Sequence, residues 1–194
     1  MIETFVIYLH GFLSSPQSNK ARQVVRYCQD HGLDERLAVP ALTGSPQHCV
    51  SEVQRIIDQH GHQQVALIGS SLGGFYATCL AQRNSLRAAV INPAVRPQDY
   101  WRNYLGEHRN YYSDSVHVVT EQHVLELAEL DPPELSRPDD FLLLVQTGDE
   151  VLDYRRAVTR YQGATQIVQP GGDHSFRNFE SQLPTVFEFL TIQN

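Results

Sequence analysis

The sequence predicts an α/β protein in which a six-stranded, mostly parallel sheet is covered by helices on both faces. Three observations support this prediction. Short, continuous apolar runs recur along the chain, as expected of strands that are buried on both faces of a parallel sheet. Segments with apolar residues at the i, i+3, i+4 spacing of a helix face separate these runs. Strands that alternate with helices in this way form right-handed crossovers, which make the strands parallel.

The individual elements follow from the same patterns. The predicted strands share a short apolar core and end at turn residues: Phe5–Leu9, Arg36–Pro40, Val65–Ile68, Leu86–Ile91, Phe141–Val145 and Thr165–Val168. The predicted helices share an apolar stripe and begin where a capping residue is available. They begin at Ser18 or Asn19, at Ser45–Pro46, after Ser71, at Asp153 and near Phe179.

Residues 94–138 interrupt this alternation, because a strand–helix–strand unit needs far fewer residues. We therefore expect one domain over residues 1–194 with a cap-like insertion at about 94–138. The aromatic residues Tyr100, Trp101 and Tyr104 either pack as the core of this insertion or line a substrate site. The arginines of the segment either meet an anionic substrate group or remain solvated at the surface.

Composition and charge exclude several classes of function. The 194 residues carry a net charge of −7, which argues against a nucleic-acid-binding surface. The N-terminal apolar run is too short for a signal peptide or a membrane span. Cys28, Cys49 and Cys79 match neither a disulfide framework nor a zinc pattern. We expect a cytoplasmic protein without metal, membrane or nucleic-acid partners; its oligomeric state stays open, and a monomer is compatible with the sequence.

The most informative motif follows the third predicted strand. It is Gly69-Ser70-Ser71-Leu72-Gly73, a Gly-x-Ser-x-Gly pattern between a strand and a helix, which is typical of a nucleophile elbow. Side chains two residues before and after the serine would collide across such a sharp turn, so glycine is required there. Only Ser71 has glycines at both positions, and it is the candidate nucleophile. The alternative is an ordinary glycine-rich turn or a phosphate cradle, although the P-loop pattern is absent.

A serine hydroxyl needs a neighbouring base, and that base needs an orienting group. His174, in the glycine-rich turn after the last strand, is the candidate base. Asp149 follows the penultimate strand and is the candidate acid, with Asp153 and Asp173 as alternatives. Because the carboxyl ends of parallel strands meet at one edge of the sheet, we expect these side chains to lie close together. The predicted chemistry is acyl transfer through a Ser–His–Asp triad.

Acyl transfer also requires hydrogen-bond donors for the oxyanion that develops on the substrate. The backbone N–H of Leu72, next to the candidate nucleophile, is one candidate donor. The N–H of Phe12 is the second, because the His10-Gly11-Phe12 turn also follows a strand end. We expect Gly11 to allow a close approach to the serine and His10 to pack beneath the turn.

The residues that carry these predictions resemble the α/β-hydrolase superfamily over essentially the whole chain. The matching segments are Ile7–Phe12, Gly69–Gly74, Gly148–Val151 and Gly172–His174. The chain resembles the YqiA group of small bacterial esterases more closely. This resemblance implies the sheet order 2-1-3-4-5-6 and a short cap after the fourth strand. It also implies hydrolysis of carboxylic esters or acyl thioesters without a metal or organic cofactor. A non-catalytic binding protein of this fold and an amidase or peptidase with the same residues are the alternatives.

Overall fold

The computed structural model of the protein describes residues 4–61, 65–112 and 114–191. A six-stranded sheet forms its centre. Its strands are β1 (Phe5–Leu9), β2 (Leu37–Ala38), β3 (Val65–Ser70), β4 (Arg87–Ile91), β7 (Phe141–Gln146) and β8 (Thr165–Gln169). All neighbouring strands are parallel, and their order is β2-β1-β3-β4-β7-β8. This order is the one that the family resemblance implies, so the predicted fold class is confirmed.

Helices cover both faces of this sheet, and each face has its own apolar core. Helices α1 (Asn19–Asp30) and α6 (Leu183–Thr191) cover one face, where Val24 and Phe187 pack against strand residues such as Tyr8. The opposite face is covered by α2 (Pro46–His60), α3 (Leu72–Asn84) and α5 (Tyr154–Arg160). The strands are buried on both sides, which explains their continuous apolar sequences.

Three helices begin where the capping pattern predicts. The hydroxyl of Ser18 accepts a hydrogen bond from the N–H of Ala21, so Ser18 rather than Asn19 caps α1. Ser45 caps α2 in the same way, and a proline occupies the first helical position, where no intrahelical donor is needed. The carboxylate of Asp153 accepts from the N–H of Arg155 at the start of α5. These caps fix where each helix leaves its strand-end turn.

Two predicted elements are shorter in the structure. Strand β2 contains only Leu37 and Ala38 of the predicted Arg36–Pro40, because a 3₁₀ turn occupies residues 34–36 and Pro40 has no N–H to donate to a ladder. The closing helix α6 begins at Leu183, after a 3₁₀ turn at Phe179–Gln182. A proline at position 184 fits the first turn of a helix but not its interior, so α6 starts there.

Residues 94–138 contain a hairpin and a helix that the sequence patterns do not predict individually. Two 3₁₀ turns (Pro97–Asp99 and Trp101–Tyr104) precede the antiparallel strands β5 (Gly106–Arg109) and β6 (Val116–Val119). Helix α4 (Glu121–Leu130) follows, and its apolar side chains join the core beside α2. The segment therefore shares the core of the sheet. Among the helices that the structure describes, none is long and apolar enough to cross a membrane.

Candidate active site

Ser71 occupies a sharp turn between β3 and α3. Its φ of 56° and ψ of −124° place it in a backbone conformation that residues other than glycine rarely adopt. Glycine is required on both sides of this turn because the backbone segments approach closely. A Cβ on Gly69 would lie 2.3 Å from the carbonyl oxygen of Gly73, and a Cβ on Gly73 would lie 2.1 Å from the carbonyl oxygen of Leu9. The strain and the close approach are those of a nucleophile elbow.

A chain of hydrogen bonds links Ser71, His174 and Asp149. The Nε2 atom of His174 lies 3.1 Å from the Oγ atom of Ser71. On the other side of the ring, Nδ1 of His174 lies 2.9 Å from Oδ2 and 3.0 Å from Oδ1 of Asp149. The tautomer with a proton on Nδ1 donates to the carboxylate and leaves Nε2 free to accept the serine proton. The structure thus brings together the three residues that the sequence singles out.

The carboxylate of Asp149 is held in a fixed orientation. Its side chain is 1% exposed, and its Oδ1 atom accepts hydrogen bonds from the N–H groups of Val151 (2.9 Å) and Leu152 (2.8 Å). The two alternative acids are engaged elsewhere. Asp153 caps α5, and Asp173 binds the side chains of Ser175 and Arg177. Of these three carboxylates, only that of Asp149 is hydrogen-bonded to His174.

Two buried amide side chains position the loop that carries His174. Nδ2 of Asn92 donates to the carbonyl oxygens of Asp173 and His174, each at 3.1 Å, and Oδ1 of Asn92 accepts from the N–H of Gln146. Oε1 of Gln146 in turn accepts from the N–H groups of Asp173 and Arg177. Sequence reasoning missed both residues. The sequence marks Asn92 only as the end of a strand, and nothing in it marks Gln146.

The turn after β1 lies directly against the candidate nucleophile. A Cβ on Gly11 would lie 3.1 Å from the Cβ of Ser71 and 3.6 Å from its Oγ, so no side chain fits there without displacement. His10 is 3% exposed; its Nδ1–H donates to the carbonyl oxygen of Gly11 (2.9 Å), and its Nε2 accepts from the N–H of Leu42 (3.0 Å). Burial lowers the pKa of His10. Both ring nitrogens are used to hold the turn, as a structural role requires.

The N–H groups of Phe12 and Leu72 meet a basic requirement of oxyanion donors. In the parts of the chain that the structure describes, neither N–H has a hydrogen-bond acceptor. For Leu72 this follows from its position as the first residue of α3, because the first N–H groups of a helix have no intrahelical partner. The helix dipole also favours negative charge at this end of α3. Both groups therefore remain candidate donors for an oxyanion.

The aromatic side chains of the insertion pack around Phe12. The ring of Phe12 makes edge contacts with Trp101 at 4.9 Å and Tyr104 at 6.2 Å between centroids. The imidazole rings of His117 and His108, on the hairpin β5–β6, contact it at 5.3 and 5.6 Å. These contacts fix the position of Phe12, because aromatic pairs in this edge geometry attract one another. Trp101 and Tyr104 thus support the candidate oxyanion turn.

Two neighbouring cavities meet the Gly11–Phe12 turn. Ser71 and His174 line one of about 330 Å³, together with Lys20, Glu150 and side chains of α1 and the hairpin loop. Leu72 and Trp101 line the other, of about 320 Å³. Tyr100 lines a separate cavity beside Leu152 and Arg156. Of the three predicted substrate-lining residues, none lies in the cavity that contains Ser71; Tyr111 and Tyr112 lie there instead, and the predicted lining role stays a prediction.

The cysteines offer no competing nucleophile. All three are free and buried. Burial raises the pKa of the Cys28 thiol to about 11 and that of Cys49 to about 12, and it raises the pKa of Cys79 as well. A thiol with such a pKa is protonated at neutral pH and is a poor nucleophile. Within residues 4–61, 65–112 and 114–191, no group of three or more His, Cys, Asp or Glu side chains could hold a metal ion.

The strand order, the elbow after β3 and the positions of Asp149 and His174 after β7 and β8 define an α/β-hydrolase fold. Solved structures agree at the level of the fold. The α/β-hydrolase domain-containing protein 10 from mouse has a TM-score of 0.74 at 17% identity, covering 96% of this chain and 90% of its own. Est1E from Butyrivibrio proteoclasticus has a TM-score of 0.69 at 14% identity, and the match covers 96% of this chain and 86% of Est1E.

Within this class, the chain belongs to an uncharacterised protein family, UPF0227, whose family model matches residues 5–191. A UPF0227 protein of Shewanella woodyi is 29% identical over 95% of this chain and 98% of its own length. The UPF0227 protein YcfP of Salmonella newport is 26% identical over 96% of this chain and 99% of its own length. The predicted membership of the YqiA-like group of α/β-hydrolases is confirmed.

Proposed function

We propose that the protein is a serine hydrolase that cleaves small carboxylic esters, and acyl thioesters of similar size, through an acyl-enzyme intermediate. The observation that carries this proposal is the hydrogen-bonded chain from Oγ of Ser71 through the imidazole of His174 to the buried carboxylate of Asp149. Activation of a serine hydroxyl requires an oriented base and an acid that fixes that base, and both are present beside the strained Ser71.

In the acylation step, Oγ of Ser71 attacks the carbonyl carbon of the ester while Nε2 of His174 takes the hydroxyl proton. Asp149 holds the imidazole with its proton on Nδ1 and stabilises the imidazolium that forms. The tetrahedral intermediate collapses when the bond to the leaving oxygen or sulfur breaks. The imidazolium then returns its proton to the leaving group, and the acyl group remains on Ser71.

The oxyanion of the tetrahedral intermediate accepts hydrogen bonds from the N–H groups of Leu72 and Phe12 in this proposal. Both groups lack an acceptor among the described residues, and the Gly11–Phe12 turn lies against Ser71. Preorganised donors of this kind contribute about 10²–10³ in rate each. Deacylation repeats the sequence with water as the nucleophile, His174 as its base, and the carboxylic acid as product.

The insertion at 94–138 acts as a short cap in this proposal. Its aromatic residues hold Phe12, and Tyr111 and Tyr112 extend to the cavity of Ser71. That cavity, of about 330 Å³, lies at the small end of the range for ligand sites. We therefore infer that short acyl chains are the preferred substrates.

A fluorophosphonate that reacts with activated serines tests the proposal without knowledge of the substrate. We expect a stoichiometric adduct in the intact-mass spectrum, which peptide mapping locates at Ser71. Replacement of His174 by Ala should abolish the reaction, because the hydroxyl then has no base. A non-catalytic binding protein of the same fold would form no adduct. An amidase or peptidase would label in the same way but would cleave a short-chain amide at least as fast as the matched ester.

A further inference from the structure

The only lysine of the chain, Lys20, lines the cavity that contains Ser71 and His174. It lies in the first turn of α1, and its side chain is half-buried. Its ammonium donates one hydrogen bond, to the carbonyl oxygen of Ser175, at 2.8 Å. An ammonium carries three donors, so two remain for other partners. The mechanism described above does not use this charge.

The position of Lys20 is unfavourable for folding. A cation near the start of a helix opposes the helix dipole, and partial burial removes the ammonium from water. Burial lowers the pKa of Lys20 to about 8, although the charges of Asp173 and Asp149 act in the opposite direction. Among the described residues, no carboxylate forms an ion pair with this ammonium. The loop contact with Ser175 alone would not require a charged group, since any donor could make it.

On the basis of the hydrolase function proposed above, we propose that Lys20 is a specificity-determining residue that binds an anionic group of the substrate. The ester would then carry a carboxylate or phosphate in addition to the bond that Ser71 attacks. Two donors of the Lys20 ammonium can bind that anion inside the cavity where the reaction occurs. Ser18, which caps α1, also lines this cavity.

Glu150 also lines this cavity, and its charge has the opposite sign. Its Oε2 atom accepts a hydrogen bond from the N–H of His174 at 3.0 Å, so this carboxylate, on the loop after β7, helps to hold the loop that carries the base. Lys20 and Glu150 thus bring charges of opposite sign to one cavity, the first from α1 and the second from the loop after β7. An anionic ester is therefore expected to orient its charge toward α1, and a Glu150→Gln variant should strengthen the preference for it.

The test compares charged and neutral esters of nearly the same size. One pair places the anion on the acyl side: p-nitrophenyl hydrogen succinate against p-nitrophenyl butyrate. The other places it on the leaving group: 4-butyryloxybenzoate against its methyl ester. The ratio of kcat/KM within each pair is measured for the wild type, Lys20→Met and Lys20→Arg. Arg22→Met is the matched control, because Arg22 is an exposed cation on the same helix.

We expect the ratio for at least one pair to fall about tenfold in Lys20→Met, because a charge-assisted hydrogen bond is lost. It should be largely retained in Lys20→Arg and unchanged in Arg22→Met. The pair that responds identifies the side of the ester that carries the anion. Equal ratios in the wild type and Lys20→Met for both pairs would overturn the proposal, because a purely structural role lowers both members alike. An equal fall in Arg22→Met would also overturn it.

A measurement that needs no turnover separates this proposal from the hydrolase function. Binding of monomethyl succinate and of 4-butyryloxybenzoate to Ser71→Ala is measured by calorimetry, with and without the additional Lys20→Met change. We expect the affinity for at least one of these two anions to fall about tenfold when the lysine is removed. Absence of hydrolysis together with this loss of affinity would contradict the hydrolase function and support the anion site. Equal affinity of the two proteins for both anions would contradict the anion site, whatever the activity.

Discussion

Replacement of Asp149 by asparagine is the most informative single change, because the structure dictates how the new side chain must lie. Oδ1 of Asp149 accepts two backbone hydrogen bonds, from Val151 and Leu152, and only an oxygen can take that place. The amide nitrogen of the introduced asparagine is therefore forced into the position of Oδ2, which faces Nδ1 of His174 at 2.9 Å. Oδ1 also lies 3.0 Å from Nδ1, but the two backbone N–H groups occupy both lone pairs of an amide oxygen, so it has none left for the imidazole.

An amide nitrogen is a donor, so it selects the tautomer of His174 that accepts at Nδ1. The proton of the imidazole then lies on Nε2, which faces Oγ of Ser71 and can no longer accept its proton. The expected loss in kcat is about 10⁴, the size seen when the same change imposes the wrong tautomer on a catalytic histidine. This corresponds to about 5.4 kcal/mol of transition-state stabilisation. The backbone bonds are kept, so the free energy of unfolding should change by less than about 1 kcal/mol.

The assay is hydrolysis of p-nitrophenyl butyrate by the wild type, Asp149→Asn and Asp153→Asn. The Asp153 variant carries the same chemical change, and asparagine caps a helix as well as aspartate does, so its activity and stability should be nearly unchanged. Urea unfolding of each variant separates catalytic loss from misfolding. If Asp149→Asn retained more than about a tenth of wild-type kcat, or if Asp153→Asn were the less active variant, the assignment of the acid would be wrong.

Four further predictions follow from the same structure. A methyl group on Gly73 would lie 2.1 Å from the carbonyl oxygen of Leu9, so Gly73→Ala should lower the free energy of unfolding by about 3 kcal/mol in urea titrations. Gly11→Ala crowds Ser71 and shifts the turn that carries the Phe12 N–H. We therefore expect kcat to fall about 10²-fold while the free energy of unfolding changes little. An unchanged kcat would show that this turn is not part of the oxyanion site. Because the pKa of His10 is lowered in the folded protein, the unfolded chain binds more protons than the folded one as the pH falls through 6.5. The free energy of unfolding should therefore decrease as the pH is lowered through this range. His10→Gln should make that decrease shallower. Finally, the wild type should cleave a butyrate ester faster than a dodecanoate ester at matched low concentrations, because the cavity at the nucleophile is only about 330 Å³. The reverse order would contradict the preference for short acyl chains.

Features that depend on neighbouring residues are the ones that this sequence predicts well. The elbow at Ser71 is predictable because its glycines satisfy a steric constraint within five consecutive residues, and Ser45 is predictable as a cap because its partner is three residues away. The choice among Asp149, Asp153 and Asp173 is not local. All three lie near strand ends, and only the three-dimensional course of the loops decides which carboxylate is hydrogen-bonded to the imidazole.

The support of the site is the part that sequence patterns cannot provide. Asn92 and Gln146 hold the loop of His174 through partners between 27 and 82 residues away along the chain, and a single amide carries no periodic signal. The hairpin β5–β6 has four residues in each strand, and much of it is exposed. It packs through His108 and His117 against Phe12, a contact between distant segments that no local pattern indicates.

The decisive measurement identifies the nucleophile. It compares the hydrolysis of p-nitrophenyl butyrate by the wild type, Ser71→Ala and Ser70→Ala. Each variant loses one hydroxyl, from neighbouring residues at the end of β3 and in the turn after it, but only that of Ser71 is hydrogen-bonded to His174. We predict that Ser71→Ala loses at least about 10³-fold in kcat while Ser70→Ala stays within about tenfold of the wild type. Wild-type activity in Ser71→Ala would contradict the account, because the ester would then be cleaved without the residue around which the whole site is built.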